Sequence, residues 1–397
     1  MKIAILSTNS KLYSTRRLKE ACLARGHQVR VLDTLSFAIL VEQQLPTLVY
    51  RGKTLAGFDA VIPRIGASIS FFGTAVVRQF EQMGVFTLNS SPAISLARDK
   101  LRSIQALSSH AVGLPKTAFV RRKGDLVRAI DSVGGAPVVI KLLEGTQGIG
   151  VMLADSVKTA QAIIETLHSA KQNVLIQSFI KESKGRDIRA FVVGNRVVAS
   201  MRRVAQGDEF RSNVHRGGRA EPIKLSPEYE WTAIKAARVM GLRVAGVDML
   251  EGVDGPKVME VNSSPGLQGI ERASGVDVAK KIVELIEEEV LFPDIDLRER
   301  LALRGGYGIM EIKVDDRSPL AHKTLGELKL RDRNVLVLTI SRESIVIPDP
   351  HGDREILPGD TLLCFGNTMT LKGLAPPRKA KKKKPKTETL PLEDTSA

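Results

Sequence analysis

Cysteine is nearly absent: Cys22 and Cys364 are the only two in 397 residues. That is far too few for a disulfide framework or a Cys-rich metal site, and both lie in patterns that read as a buried helix face and a buried strand. No run approaches the roughly 18–20 uninterrupted apolar residues that a membrane-spanning helix needs. Met1-Lys2 leads straight into an apolar strand, where a leader peptide would carry a longer apolar core. The expectations are a reducing, cytoplasmic setting without membrane insertion or export. Also missing is a GxGxxG after the first strand, so the fold class by itself names no dinucleotide. Aromatic residues make up 4% and hydrophobic residues 43% of the chain, which at this length supports two or three folded units with real cores. The net charge of +15 invites a nucleic-acid reading, but the run Arg378-Lys379-Ala380-Lys381-Lys382-Lys383-Lys384-Pro385-Lys386 carries nearly half of it. The body of the chain is only moderately basic.

Periodicity divides the chain. A strand at 2–7, a helix from Leu12 to Arg25 stopped by Gly26, and a strand at 29–33 form a βαβ unit. Strands at 59–63 and 85–89 around a helix at 73–83 extend a small open parallel sheet to residue 95. A basic helix at 96–110 follows, then a strand at 116–121, a helix at 124–133 and a strand at 137–143. The glycine-rich stretch Glu144-Gly145-Thr146-Gln147-Gly148-Ile149-Gly150 joins that last strand to another at 151–154. A helix at 156–170, a strand at 174–180, an antiparallel pair at 187–193 and 196–201, a helix at 228–240, strands at 243–251 and 257–262, and one closing helix at 269–290 complete the central unit. Residues 291–304 read as a linker, 305–374 as a small β-rich module, and 375–397, rich in proline and lysine, as disordered.

Three clusters carry chemistry. In the first, Val138-Val139-Ile140-Lys141 places one lysine on an apolar strand just before the glycine-rich hairpin, whose small residues let amides reach phosphate oxygens. An ordinary turn is the commoner meaning of such a hairpin. In the second, Asp248 ends the strand Val244-Ala245-Gly246-Val247 and Glu260-Val261-Asn262 ends the next. Glu260 and Asn262, two apart, share a strand face and with Asp248 offer only oxygen donors, which suit magnesium or manganese. Solvated strand-end carboxylates are the bland alternative, disfavoured because each follows an apolar strand. In the third, Arg202, Arg203, Arg211, Arg216 and Arg219 crowd one loop that could hold phosphate and carboxylate, with a solvated basic loop or a nucleic-acid patch as the alternative. His215 has no partner histidine at metal spacing.

The order strand, Lys141, glycine hairpin, arginine-rich loop, Asp248, Glu260-Val261-Asn262 resembles the ATP-grasp superfamily. Phe210-Arg211-Ser212-Asn213-Val214-His215-Arg216-Gly217-Gly218, Val247-Asp248-Met249-Leu250 and Met259-Glu260-Val261-Asn262-Ser263-Ser264-Pro265-Gly266-Leu267 most resemble RimK-type α-L-glutamate ligases. The resemblance implies an α/β and α+β architecture: an N-terminal open α/β pre-grasp domain (1–95), an ATP-grasp domain (96–290) and the β-rich module. It implies ATP with two Mg2+ or Mn2+ ions. By the same resemblance Lys100 and Lys141 reach nucleotide phosphates, and residues 145–150, with Gly145 and Gly148, form a flap over them. Ser178 and Phe179 lie in a hinge that reads adenine through backbone groups, although relatives often carry an acidic residue where Ser178 stands. Asp187 contacts the nucleotide, Arg211, Ser212 and Asn213 lie beside the triphosphate, and Asp248, Glu260 and Asn262 hold the metals.

The implied reaction phosphorylates a peptide's terminal carboxylate, after which the amine of free L-glutamate displaces phosphate. Arg202 and Arg203 are the candidates for steering the acyl phosphate or glutamate carboxylates, and strand parity lets only one face the site. The implied acceptor is the C-terminal tail of a small-subunit ribosomal protein. Alternatives are a glutamate ligase acting on a small-molecule cofactor or an amino-acid carrier protein, and a nucleotide-binding regulator. The third unit, through Tyr307-Gly308-Ile309-Met310-Glu311-Ile312, the stretch from Ser318 to Leu328 and the stretch from Leu357 to Leu363, resembles the C-terminal module of potassium-uptake regulators. That likeness implies a homo-oligomer, with plain assembly at least as good a reading as ligand sensing. Contact of the lysine run with ribosomal RNA or an acidic tail, or mere solubility, is expected of the terminus.

Overall fold

The computed structural model describes residues 1–43, 45–143, 150–206, 218–291, 306–343 and 345–374. They fall into two units, Met1–Pro293 and Asp294–Ala397. The flap residues Gly145 and Gly148, the loop residues Arg211, Ser212, Asn213 and His215, nearly all of the expected linker and the expected disordered tail lie outside the described residues.

The first unit opens with a parallel sheet in the order Gln28–Leu32, Lys2–Leu6, Ala60–Pro63, Phe86–Thr87. Its central strands are buried on both faces, which is why they read as continuous apolar runs without alternation. The helix Tyr13–Ala24 covers one face with Leu18, Ala21 and Cys22, spaced three and four apart. A three-stranded meander of Phe37–Leu40, Thr47–Tyr50 and Lys53–Thr54, not anticipated from the sequence, adds Phe37 to the opposite core, where it meets the rings of Tyr50 and Phe80.

Two helices expected to be continuous are broken. The basic helix of 96–110 is two, Ser91–Arg98 and Lys100–Ser109, because Asp99 leaves the helical region (φ −85°, ψ 98°) and its carboxylate caps the second by accepting from the Arg102 amide. The closing helix is likewise Gln268–Ser274 and Val278–Leu291, parted at Gly275, whose φ of +70° ends the first in the left-handed conformation.

Between these lie two antiparallel sheets. One has the order Val151–Ala154, Val138–Leu142, Val174–Ser178, Thr117–Ala118 and packs on the helices Leu126–Ser132 and Val157–Ser169. The other has five strands in the order Arg219–Pro222, Arg196–Val204, Arg186–Val193, Val244–Gly252, Gly255–Asn262. The helix Pro227–Val239 covers one of its faces, and the helix Val278–Leu291 joins the N-terminal sheet in the core on the other. Strands expected at 116–121 and 174–180 end sooner, at Ala118 and Ser178.

The second unit is β-rich: an antiparallel sheet in the order Tyr307–Lys313, Thr361–Asn367, Val335–Arg342, Ile345–Pro348, closed by the helix Thr368–Leu374. Its short helix Leu325–Leu328 begins with a reciprocal cap between Thr324 and Glu327. Cys22 and Cys364 are both buried free thiols, and burial pushes each up to about 12.

Candidate active site

Register on the five-stranded sheet assembles one polar face. Residues directly opposite in an antiparallel ladder share a side of the sheet, as do residues two apart along a strand. Arg203 is paired with Asp187, Arg189 with Asp248, and Asp248 with Glu260, and Asn262 lies two beyond Glu260. Six polar side chains therefore line one side. Arg203, expected there as one of two alternatives, is buried and sends Nε and Nη2 to the Asp187 carboxylate at 2.6 and 2.5 Å, while Nη2 also lies 2.9 Å from Asp248. Arg202 falls on the other side by alternation and pairs with Glu251 at 2.9 Å.

Asp248 is clamped twice. Arg189 donates from Nε to Oδ1 and from Nη2 to Oδ2, each at 2.6 Å, and Arg203 adds a second donor at Oδ2. Burial by itself would raise the Asp248 carboxyl, but the two guanidiniums outweigh it and hold the group below the usual carboxylate range. Burial likewise works against the Arg203 cation, and Asp248 and Asp187 override it, raising its pKa. The Asp187 carboxylate, expected at the nucleotide, is thus occupied by Arg203.

Lys141 comes from the facing sheet. Burial pushes its ammonium down to about 8, with Glu260 and Asp248 opposing and Lys100 reinforcing that shift, which puts Lys141 within reach of the charge of all three. Lys100, carried to this point by the helix break at Asp99, donates from Nζ to the carbonyls of Leu142 at 3.1 Å and Leu143 at 2.8 Å. In the same lobe, the Ser178 amide donates to the Lys116 carbonyl at 2.9 Å. Phe179, next along the chain, makes no backbone hydrogen bond among the described residues.

The donor set fits a hard divalent cation. Glu260 is exposed and has no hydrogen-bond or ion-pair partner among the described residues. Asn262 uses only Nδ2, in a long 3.5 Å contact to the Gly246 carbonyl, leaving its Oδ1 open. Asp248 Oδ1 takes one hydrogen bond and keeps a lone pair. No three His, Cys, Asp or Glu gather among the described residues, so the set is two carboxylates and an amide.

Sequence reasoning missed three contributors. Arg189 was accessible in principle, since it stands two residues from Asp187 on one strand. Arg98 ends the helix Ser91–Arg98 within the field of Glu260. Asn89 is fully enclosed: Nδ2 donates to the carbonyls of Val244 and Ser263, each at 2.8 Å, and Oδ1 accepts from the amides of Arg243 and Val244, each at 3.0 Å. It pins the start of the strand bearing Asp248 to the turn after Asn262, and no local pattern marks it.

Two antiparallel sheets bring lysines and carboxylates to one cluster beside a parallel N-terminal sheet, and with the matches that follow this makes the chain an ATP-dependent ligase of the ATP-grasp fold. Residues 97–286 match the RimK-like ATP-grasp domain, residues 1–94 the RimK PreATP-grasp domain, and residues 309–374 the TrkA-C domain. A probable alpha-L-glutamate ligase of Rhodopirellula baltica is 57% identical over 391 residues, 98% of this chain and 96% of the relative. A probable alpha-L-glutamate ligase 1 of Hahella chejuensis is 61% identical over 289 residues, 73% of this chain and 95% of the relative. The chain belongs to the RimK-like ATP-grasp family. Solved structures share the fold at lower identity. The ATP-grasp ligase PsnB complexed with minimal precursor, Mg and ADP is 22% identical with a TM-score of 0.59, covering 73% of this chain and 97% of that one. The macrocyclase MdnC bound with precursor peptide MdnA, from Microcystis aeruginosa, is 16% identical with a TM-score of 0.57, covering 72% and 99%. No helix among the described residues is long and apolar enough to cross a membrane.

Proposed function

We propose that this chain is an α-L-glutamate ligase that uses ATP to join L-glutamate to the C-terminal end of a small-subunit ribosomal protein in the cytoplasm. The observation that carries the reading is the meeting of Lys141 and Lys100 with Asp248 and Glu260. A triphosphate needs cations on one side and a metal-holding oxygen set on the other, and this cluster supplies both. The name of the Rhodopirellula baltica relative, which covers 98% of the chain at 57% identity, supplies the glutamate.

Lys100 and Lys141 would meet nucleotide phosphates, the backbone of Ser178 and Phe179 the adenine edge, and residues 211–213 the triphosphate. Asp248, Glu260 and Asn262 would hold two magnesium or manganese ions, whose bound charge would offset the negative charge of the phosphates. The acceptor carboxylate oxygen attacks the γ-phosphorus of ATP, forming a C–O–P linkage as the bond to ADP breaks. The neutral amine of glutamate then attacks the acyl carbon, the amide bond forms, the C–O bond to phosphate breaks, and the amine's surplus proton passes to solvent. Arg203, held by Asp187 and Asp248, keeps Asp248 ionised and oriented, while Arg202 lies on the opposite face of the sheet. Through its lysine run the chain would touch ribosomal RNA, and through residues 309–374 it would self-associate.

The test is incubation with ATP, magnesium, labelled glutamate and total ribosomal proteins. Label in one small-subunit protein supports the proposal. Glutamate-dependent ADP release without protein label would move the acceptor to a small molecule or a carrier protein, and absence of any ADP release would refute ligation.

A further inference from the structure

Two arginines, Arg64 and Arg98, stand at the edge of the catalytic cluster. Arg64 is the first residue after the strand Ala60–Pro63, and its backbone amide donates to the Leu6 carbonyl at 2.9 Å, at the end of the neighbouring parallel strand. Its guanidinium has no hydrogen-bond or ion-pair partner among the described residues. Arg98 approaches from the end of its helix. It donates from Nη2 to the carbonyl of Ile65, while its Nε is buried without a partner. Ile65 is itself fixed, because at Gly73 any Cβ would stand 2.5 Å from its Cγ2, so the helix Ser70–Gln82 seats directly on it.

The place matters as much as the residues. The chain leaves the central strand Lys2–Leu6 first toward Gln28–Leu32 on one side and then toward Ala60–Pro63 on the other. The gap between the first and third of these strands is therefore the topological switch point of the sheet, the crevice where open parallel sheets take ligands at their carboxyl ends. Arg64 stands at that carboxyl end.

Charge points the same way. Burial pushes the Arg64 guanidinium down to about 10, and the Arg98 cation beside it adds to the shift. Arg98 is lowered by its own burial, with the Glu260 carboxylate opposing. Two like charges drawn partly out of water repel each other, and an anion joining them relieves that repulsion. Arg98 feels Glu260, and Glu260 acts on Lys141, so the arginine pair borders the phosphoryl-transfer cluster on the side of the N-terminal sheet.

We propose that Arg64 and Arg98 form a binding site for a substrate carboxylate at the switch point of the N-terminal sheet, next to the site of phosphoryl transfer. A guanidinium fork matches a carboxylate bidentately, and the Arg64 fork with the Arg98 cation beside it selects for a carboxylate over a neutral terminus. The inference rests on the ligase reading for the identity of the substrate. The carboxylate can come from the acceptor's C-terminal residue or from free glutamate, and kinetics separate the two.

Arg64→Met keeps an apolar stem and removes the charge, and Arg64→Lys keeps the charge without the fork. With the full chain, ATP and magnesium, Arg64→Met should raise the KM of one carboxylate substrate on the order of tenfold or more, the loss expected for a charge-assisted hydrogen bond. A rise confined to an acceptor peptide assigns the site to the acceptor, and a rise confined to glutamate assigns it to the donor. Arg64→Lys should recover part of the loss. The thermal midpoint of Arg64→Met should equal or exceed that of the parent, since a half-buried cation beside the Arg98 cation is removed. Calorimetric titration with glutamyl-glutamate in the presence of a non-hydrolysable ATP analogue reads the site even without turnover. There, weaker binding by Arg64→Met supports it. Indistinguishable titrations, or a fall in midpoint with both KM values unchanged, would overturn it. Turnover by the parent reports separately on the ligase reading.

Discussion

Replacing Asn89 with leucine tests how the catalytic face is held. The side chain is buried and uses its full hydrogen-bonding capacity, giving two bonds and receiving two across segments more than 150 residues away in sequence. Leucine fills a similar volume, so little of the effect would come from a cavity. It strands the Val244 amide and carbonyl, the Ser263 carbonyl and the Arg243 amide. A net worth of about 1 kcal/mol per hydrogen bond, rising to about 3 for a buried group left unpaired, gives a loss of roughly 4–6 kcal/mol after partial relaxation. That is a large share of the 5–15 kcal/mol typical of a folded protein. Urea denaturation followed by circular dichroism measures it, and the thermal midpoint should fall by roughly 10 °C or more. Because Val244 begins the strand of Asp248 and Ser263 follows Asn262, residual ligase activity at a temperature where the variant remains folded should also drop. A stability loss under about 1 kcal/mol would mean that water or neighbouring groups satisfy these four backbone atoms, and the pinning argument would be wrong.

Glu260→Gln should cost no more than about 1 kcal/mol of stability, because the carboxylate is exposed, has no hydrogen bond or ion pair among the described residues and acts on Lys141 and Arg98 only through its charge, yet abolish ATP turnover. Unchanged turnover, measured as glutamate-dependent ADP release, contradicts the metal-ligand assignment. Arg203→Met leaves Asp187 buried without its bidentate partner and should cost about 3–5 kcal/mol by chemical denaturation, with much of the loss recovered in Arg203→Met/Asp187→Leu. Recovery absent in the double variant would show that the pair is not the coupled unit described. Lys141 titrates near pH 8, lowered from 10.5 by burial. The folded state therefore binds its proton less tightly than the unfolded chain, so the cost of burying the ammonium is full below pH 8 and fades as pH rises toward 10.5. Stability of the ligand-free protein should gain from this group across that window, while affinity for a magnesium-nucleotide analogue should fall above pH 8 as the cation is lost. Calorimetry at pH 7 and 9 checks it, and equal affinity at both would refute a phosphate contact by Lys141.

What was legible in the sequence followed from periodicity and from residues whose chemistry is local. Strand parity already placed Glu260 and Asn262 on one face and let only one of Arg202 and Arg203 face the site, and the register then joined Arg203, Asp187, Asp248 and Glu260 on one side. The two overlong helices show where that reasoning stops. At 96–110 the apolar rhythm runs on through Asp99, and only the competition of its carboxylate for the Arg102 amide breaks the rod. Gly275 sits in a helical rhythm too, and its left-handed φ is decided by how the next segment must turn to reach the sheet. The meander at 37–54 has strands of only two to four residues, too short for a period to declare itself. Asn89, Arg64 and Arg98 were invisible for another reason, since their roles depend on partners far away in sequence.

The sheet carrying Lys141 is packed by its own two helices into a core that shares no buried residue with the other cores of the first unit. Among the described residues no buried apolar cluster joins it to the neighbouring sheet. Such a lobe can swing as a solid piece, like the upper jaw of a vice, without breaking up its interior, and the resistance it meets comes from a few polar threads such as Lys100 on the Leu142 and Leu143 carbonyls.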